Sequence, residues 1–206
     1  MTEKNTAKKY INGLKKAYLK NGAVAEWESF EAAIHGANDE DIKALKELYP
    51  NTSDALIELL RIVDGTYWRE YNGKKISFYL LGSDVEGYPY YLLSAKQIVE
   101  TQNEAFDFYE DYVNREFDPE DIPISERITD DAEKMNWLHF SDCMNNGGTS
   151  QLFIDFSPSE KGISGQIVRF LHDPDEIEVI ADSFEEYLEK LMEWGYDFIN
   201  EDTVGE

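Results

Sequence analysis

Leu152 to Trp194 reads LFIDFSPSEKGISGQIVRFLHDPDEIEVIADSFEEYLEKLMEW, and this stretch decides the fold. Three short apolar runs, at 152–156, 167–171 and 177–181, are separated by Ser-Pro-Ser-Glu-Lys with Gly162 and Gly165, and by the turn His172-Asp173-Pro174-Asp175. Runs of this length bounded by Gly, Pro, Asp and Ser read as strands. Ser183-Phe184-Glu185-Glu186 then forms a capping box, because a serine hydroxyl accepts from the third helical amide while the glutamate reaches back. Phe184, Tyr187, Leu188, Leu191 and Met192 recur at helical spacing behind it. Three strands closed by an amphipathic helix predict the end of a compact α+β domain.

The signals before this block are helical first and extended later. Ile11, Leu14 and Tyr18 form a stripe in a lysine-rich segment. Such a helix either touches an anionic surface or packs one face on the domain. Trp27, Phe30 and Ile34 mark a second helix that Gly36 is placed to end. Asn38 or Asp39 caps a third, with Ile42, Leu45 and Leu48 inward and Pro50 as its stop. Ser53 caps a fourth through Leu56, Ile57, Leu60 and Val63, closed at Gly65. The runs 66–71 and 75–81 flank Asn72-Gly73, a strong hairpin dipeptide. A short run at 90–93 meets Ser94-Ala95-Lys96-Gln97, a second capping box, and one helix is expected from Ala95 to about Arg115. The stretch 117–136, with two prolines and many charges, reads as a long exposed connection, followed by a strand near 137–140. Asn145-Asn146-Gly147-Gly148 reads as a tight turn.

Charge is the strongest bulk property. The chain has 206 residues, 19 Lys+Arg against 43 Asp+Glu, and a formal net charge of −24. Residues 1–20 run the other way, with six lysines and one glutamate; residues 100–136 hold 13 acids against 3 bases, and 173–206 hold 13 against 1. An anionic surface repels nucleic acid and anionic lipid, and speeds encounter with a basic protein. Acid-rich surfaces also serve solubility alone. The lone Cys143 allows no internal disulfide, and no apolar run reaches the ~20 residues of a membrane span. With no apolar leader behind the N-terminal lysines, the chain reads as soluble and cytoplasmic. The expected layout is a basic helical extension at 1–24, a domain at 25–200 with an acidic insert at about 100–136, and an acidic tail at 201–206.

Catalytic and cofactor motifs are sparse. Neither phosphate-binding glycine fingerprint occurs, the three histidines have no metal-ligand spacing, and Asp84-Val85-Glu86-Gly87 lacks the spaced oxygens of a calcium loop. No cofactor and no metal are expected. His139, Asp142 and Cys143 form a candidate nucleophile, base and orienter, but all three lie within five residues, whereas such triads are assembled from separated parts of a chain. A cysteine among apolar residues is commonly a small buried hydrophobe.

From Trp27 through the last helix the sequence resembles the SUKH superfamily, which takes in fungal cell-wall (glucan synthesis) regulators and bacterial toxin-immunity proteins. The resemblance rests on Trp27 and Phe30, Gly36-Ala37, Ile42 and Leu45, and Leu56-Ile57 through Leu60 with Asp64-Gly65. It continues in Leu152-Phe153-Ile154-Asp155, Gly162, Gly165-Gln166-Ile167-Val168, and Ser183-Phe184 with Leu188. It implies N-terminal helices, a largely antiparallel sheet and a C-terminal amphipathic helix, with Gly65, Asp155, Gly162, Gly165 and Gln166 as structural motif residues. It implies no catalytic motif. The role it implies is a non-catalytic immunity protein that binds a cognate, basic, nuclease-type toxin encoded nearby; the alternative is an intracellular regulatory adaptor, and a third reading is a hydrolase built on His139, Asp142 and Cys143. Aromatics and acids alternate around a Gly/Pro loop at Trp68, Asp84, Glu86, Tyr88, Tyr90 and Tyr91, the candidate partner-binding residues. Core packing is the competing use of those side chains.

Overall fold

The computed structural model describes residues 6–143 and 150–204; the expected Asn145–Gly148 turn lies outside them. Four helices come first: α1 (Thr6–Lys20), α2 (Val24–Ala33), α3 (Asp39–Leu48) and α4 (Asp54–Ile62). A hairpin follows, β1 (Arg69–Tyr71) and β2 (Lys74–Ile76), then β3 (Tyr91–Leu92), α5 (Ala95–Glu100) and α6 (Glu104–Val113). After a 3-10 turn at Ala132–Lys134, the chain closes with β4 (Trp137–Asp142), β5 (Gln151–Asp155), β6 (Gln166–Leu171), β7 (Glu176–Ala181) and α7 (Phe184–Glu193). The architecture is α+β. Strands β3 to β7 lie side by side in chain order, every neighbouring pair antiparallel.

The sheet is covered on both faces, which is why β4 and β5 are buried at every position. Leu138, Phe140, Leu152, Ile154, Ile167 and Ile180 point into the larger core, shared with the N-terminal helices and α7. Trp137, Phe153, Val168, Phe170 and Ile177 point the other way, into a second core closed by Ala105, Tyr109 and Val113 of α6. Alternation along each strand therefore feeds two cores.

Several caps fall where the side chains dictate. The Asn38 side chain accepts from the Asp41 amide and Ser53 from those of Ala55 and Leu56; Ser94 with Gln97 makes a full capping box; Ser183 accepts from Glu186. The hairpin turns at Asn72 (φ 51°) and Gly73 (φ 81°), the left-handed pair that a tight turn of this kind needs. Its strands are shorter than the runs 66–71 and 75–81. Both the Thr66 and Tyr67 amides donate to the Leu92 carbonyl, and Trp68 turns left-handed (φ 50°), so the ladder starts only at Arg69.

Three other expectations change. The single helix from Ala95 to Arg115 is two: α5 stops at Thr101, whose hydroxyl bonds the Ile98 carbonyl, and α6 restarts after Asn103. Gly36 does not end α2, which stops at Ala33 with Ile34 extended. A Cβ on Gly36 would sit 1.9 Å from the Arg61 carbonyl oxygen, so its lack of a side chain serves the approach of α4. Helix α4 ends at Ile62 with Val63 extended, before Gly65.

Helix α1 is integral to the larger core. Ala7, Tyr10, Leu14, Ala17 and Tyr18 are buried, and its face rests on α2, α4 and α7. The irregular segment after β2 is held by tyrosine hydroxyls: Tyr10 donates to the Leu80 carbonyl (2.7 Å), Tyr18 to Tyr79 (2.7 Å) and Tyr187 to Gly82 (2.6 Å). Buried backbone carbonyls outside a ladder need such donors. Burial pushes all three phenols well up from their ordinary value, which keeps them protonated and donating.

Candidate functional site

The motif residues of the β5–β6 connection form a lock. Asp155, fully buried, accepts from the Ser157 amide (2.7 Å) and from the Gln166 amide group (3.0 Å). The Gln166 side chain also donates to the Arg127 carbonyl (3.1 Å) and accepts from the Ile163 amide (3.1 Å). Gly162 has no room for a Cβ, which would meet the Arg127 carbonyl oxygen at 2.4 Å; Gly165 is left-handed at φ 96°. Burial raises the Asp155 carboxyl above its ordinary range, against its hydrogen bonds. Gly65 does a similar backbone job, at φ 84° with a virtual Cβ 2.5 Å from the Ser94 amide nitrogen.

The six proposed contact residues do not share one surface. Trp68 is 56% exposed beside the hairpin. Asp84 grips the buried Arg169 of β6 through two hydrogen bonds (2.6 and 3.1 Å), and Glu176 stands 3.5 Å from the same guanidinium. Glu86 is exposed and Tyr88 half-buried, on a loop that runs along the C-terminal segment, where Gly87 approaches Asn200 and Gly82 meets Phe198. Tyr90 is fully buried in the larger core, and Tyr91 is a buried ring against Tyr67 and Tyr79 (centroids 5.4 and 4.9 Å). Those two therefore present no free face in this fold.

Helix α6 carries what the sequence reading passed over. Its buried stripe is Ala105, Tyr109 and Val113, yet Phe106 and Phe108 sit off that stripe, Phe108 at 65% exposure. Aromatics on the acidic side of an amphipathic helix were the available signal. Phe108 stands at the rim of a cleft of about 440 Å³ lined also by Tyr67, Leu93, Gln97, Glu100, Thr101, Glu104, Asp142 and Gln151. At its floor the Tyr109 hydroxyl donates to Gln151, Gln151 donates to Asp142 (2.8 Å), and His139 Nε2 donates to Asp142 (3.0 Å).

His139 and Asp142 share a face only because β4 is irregular. In a regular strand residues three apart point to opposite sides. The register shifts between His139 and Ser141, which brings both side chains to the α6 side. Cys143 belongs to the larger core on the other side, fully buried with Phe140 and Leu138. The proposed nucleophile and base are thus split by the sheet. Among the described residues, no group of three or more His, Cys, Asp or Glu side chains could hold a metal ion, and no helix is long and apolar enough to cross a membrane.

A search of curated proteins found no match. The model of the SMI1 / KNR4 family (SUKH-1) matches residues 36–190. That span runs from the approach to α3 into α7 and includes the whole sheet, the Asp155–Gln166 lock and α6. The match covers most of the sequence, and the chain belongs to the SMI1 / KNR4 family (SUKH-1).

Proposed function

We propose that this protein is a non-catalytic immunity protein that neutralises a cognate, basic, nuclease-type bacterial toxin by binding it directly. Family membership supports a binding role, and the acidic, aromatic-bearing α6 and the connection after it carry the reading to a basic partner. Residues 100–136 hold 13 acids against 3 bases, and Phe106, Phe108 and Phe117 are exposed among them. Carboxylates on such a face occupy positions where nucleic-acid phosphates would sit on the partner, while aromatic rings supply the desolvated anchor. Occlusion of the partner's substrate face needs no turnover. The split of His139 and Cys143 across the sheet agrees with that economy.

The test is co-expression with the product of the neighbouring gene, scored by restored growth and by co-purification. Rescue with a stoichiometric complex is expected, and affinity should fall by tenfold or more between about 0.05 and 0.5 M salt, since opposite charges steer and hold the pair. A salt-insensitive complex would remove the electrostatic part; no complex with any basic neighbour would remove the role itself.

A further inference from the structure

We propose that the pocket at the break between α5 and α6 receives one aromatic side chain flanked by lysine or arginine residues, and this rests on the reading that the partner is a basic protein. The pocket opens where the two cores of the molecule meet. Leu48 and Tyr49, at the end of α3, pack with the larger core; Ala105, Ala132, Met135 and Trp137 pack with the second. These six side chains line a cavity of about 280 Å³. That lies below the roughly 300–1,000 Å³ of small-molecule sites, and it suits a single side chain rather than a cofactor. The stop of α5 at Thr101 and the restart of α6 after Asn103 shape its mouth, where Gln102, Asn103 and Phe106 are exposed.

The walls are set before any partner arrives. The Tyr49 hydroxyl donates to the Trp137 carbonyl (3.1 Å), and the Met135 amide donates to the Ala132 carbonyl (3.0 Å). A preformed pocket with a buried apolar floor and an exposed polar rim is the setting in which one anchor contributes most to an interface. Tyr49, Phe106 and Trp137 present rings to the occupant, and ring-on-ring contact favours an aromatic anchor over an aliphatic one. Charge then selects what stands beside the anchor. Glu133 is exposed on the rim and Asp107 follows Phe106 on α6; neither makes an ion pair among the described residues. No Lys or Arg is among the lining residues. The three bases of residues 100–136 are already engaged: Arg115 on backbone carbonyls, Arg127 with Asp182 (2.6 Å) and Lys134 with Asp131 (2.8 Å). A lysine or arginine beside the anchor therefore meets carboxylates that lack an internal counter-charge.

The experiment titrates the full chain, isotope-labelled, with three acetylated and amidated pentapeptides, followed by NMR: Lys-Lys-Phe-Lys-Lys, Lys-Lys-Ala-Lys-Lys and Ser-Ser-Phe-Ser-Ser. Saturable shifts centred on residues 48–49, 102–106 and 132–137 are expected for the first. The alanine peptide should bind about tenfold more weakly and the serine peptide about fivefold more weakly. Phe106→Ala should weaken the first peptide about threefold. Glu133→Gln should weaken it about twofold and leave the serine peptide unchanged. Both side chains are exposed, so both variants should keep the fold, which their unchanged spectra elsewhere would verify. Equal binding of the phenylalanine and alanine peptides would mean that charge alone is read, and would overturn the assignment. Equal binding of the lysine-flanked and serine-flanked phenylalanine, indifference to Phe106→Ala, or shifts scattered over the whole acidic surface would also overturn it. Shifts at these residues that grow with protein concentration, without peptide, would seat a second copy there and have the same effect. Growth rescue combined with an unresponsive pocket would strike down the pocket and leave the binding role standing. A responsive pocket in a chain that binds no basic neighbour would do the reverse.

Discussion

Gly65 and Gly73 share a backbone conformation and differ in surroundings, which makes them a controlled pair. Both are left-handed, but a Cβ at Gly65 would strike the Ser94 backbone at 2.5 Å, whereas Gly73 has nothing within 4 Å. Gly73→Ala should cost about 1–2 kcal/mol, the strain of that conformation alone. Gly65→Ala should cost clearly more, about 3 kcal/mol or above, read by urea melts; equal losses would mean that the close approach to Ser94 is easily relieved. Asp155 gives a pH-dependent expectation. Its raised native value means the folded state binds the proton more readily than the unfolded one. Its contribution is therefore fully present below the unfolded carboxylate range and lost as pH rises through the native value. Relative to Asp155→Asn, the wild type should lose stability across that window; parallel stability curves from pH 3 to 7 would contradict this. At this scale the glycines stand out in the sequence as turn residues, and Asp155 as the polar member of an apolar strand. The polar surroundings of Asp155 do not, because Gln166, which donates to it, and the Arg127 carbonyl, which holds Gln166, come from separate stretches of chain.

The elements were legible where the signal is local. The capped starts of α3, α4, α5 and α7 sit behind Asn38, Ser53, Ser94 and Ser183, as the side-chain chemistry of caps requires. The break between α5 and α6 falls in the polar run Glu100 to Glu104, which holds no Gly or Pro to mark a stop, and the bulge in β4 leaves no trace in composition. Without that bulge His139 and Asp142 look like opposite-facing neighbours, so the cleft floor was invisible. One element-level device is testable in the acidic connection. Arg115, itself left-handed at φ 59°, spans the carbonyls of Tyr112, Val113, Ser125 and Ile128. It ends α6 and pins the following stretch to it. Arg115→Met should leave the main sheet protected while amides at 116–131 exchange tenfold faster or more; uniform protection would show that the pin is dispensable. Tyr187→Phe removes the hydroxyl that donates to the Gly82 carbonyl and should cost about 1–2 kcal/mol by thermal or chemical melting.

For the whole molecule, net charge is the term that no single contact reveals. A formal charge of −24 makes the compact state self-repelling. Adding about 0.5 M sodium chloride should therefore raise the melting temperature of the free protein, by about 2–4 °C for each kcal/mol of repulsion relieved. The same salt should loosen any complex with a basic partner. Opposite responses of fold and complex to one variable form a signature that hydrophobic association would not give. The α+β class was readable from order alone, helices before strands before a capped helix. The two-faced burial of the sheet was not, because the same alternation describes a sheet with one wet side. The join between α1 and the segment after α7 was not readable either. Asn21 donates to the carbonyl of Ile199 and Tyr196 donates to that of Tyr10. During synthesis, then, the part of the first helix that packs on α7 and the segment after it waits uncovered until the ribosome has delivered residues nearly two hundred positions later. The larger core can seal only once α7 and the segment after it have emerged, and a ribosome stalled before α7 would hold a sticky, half-closed nascent chain.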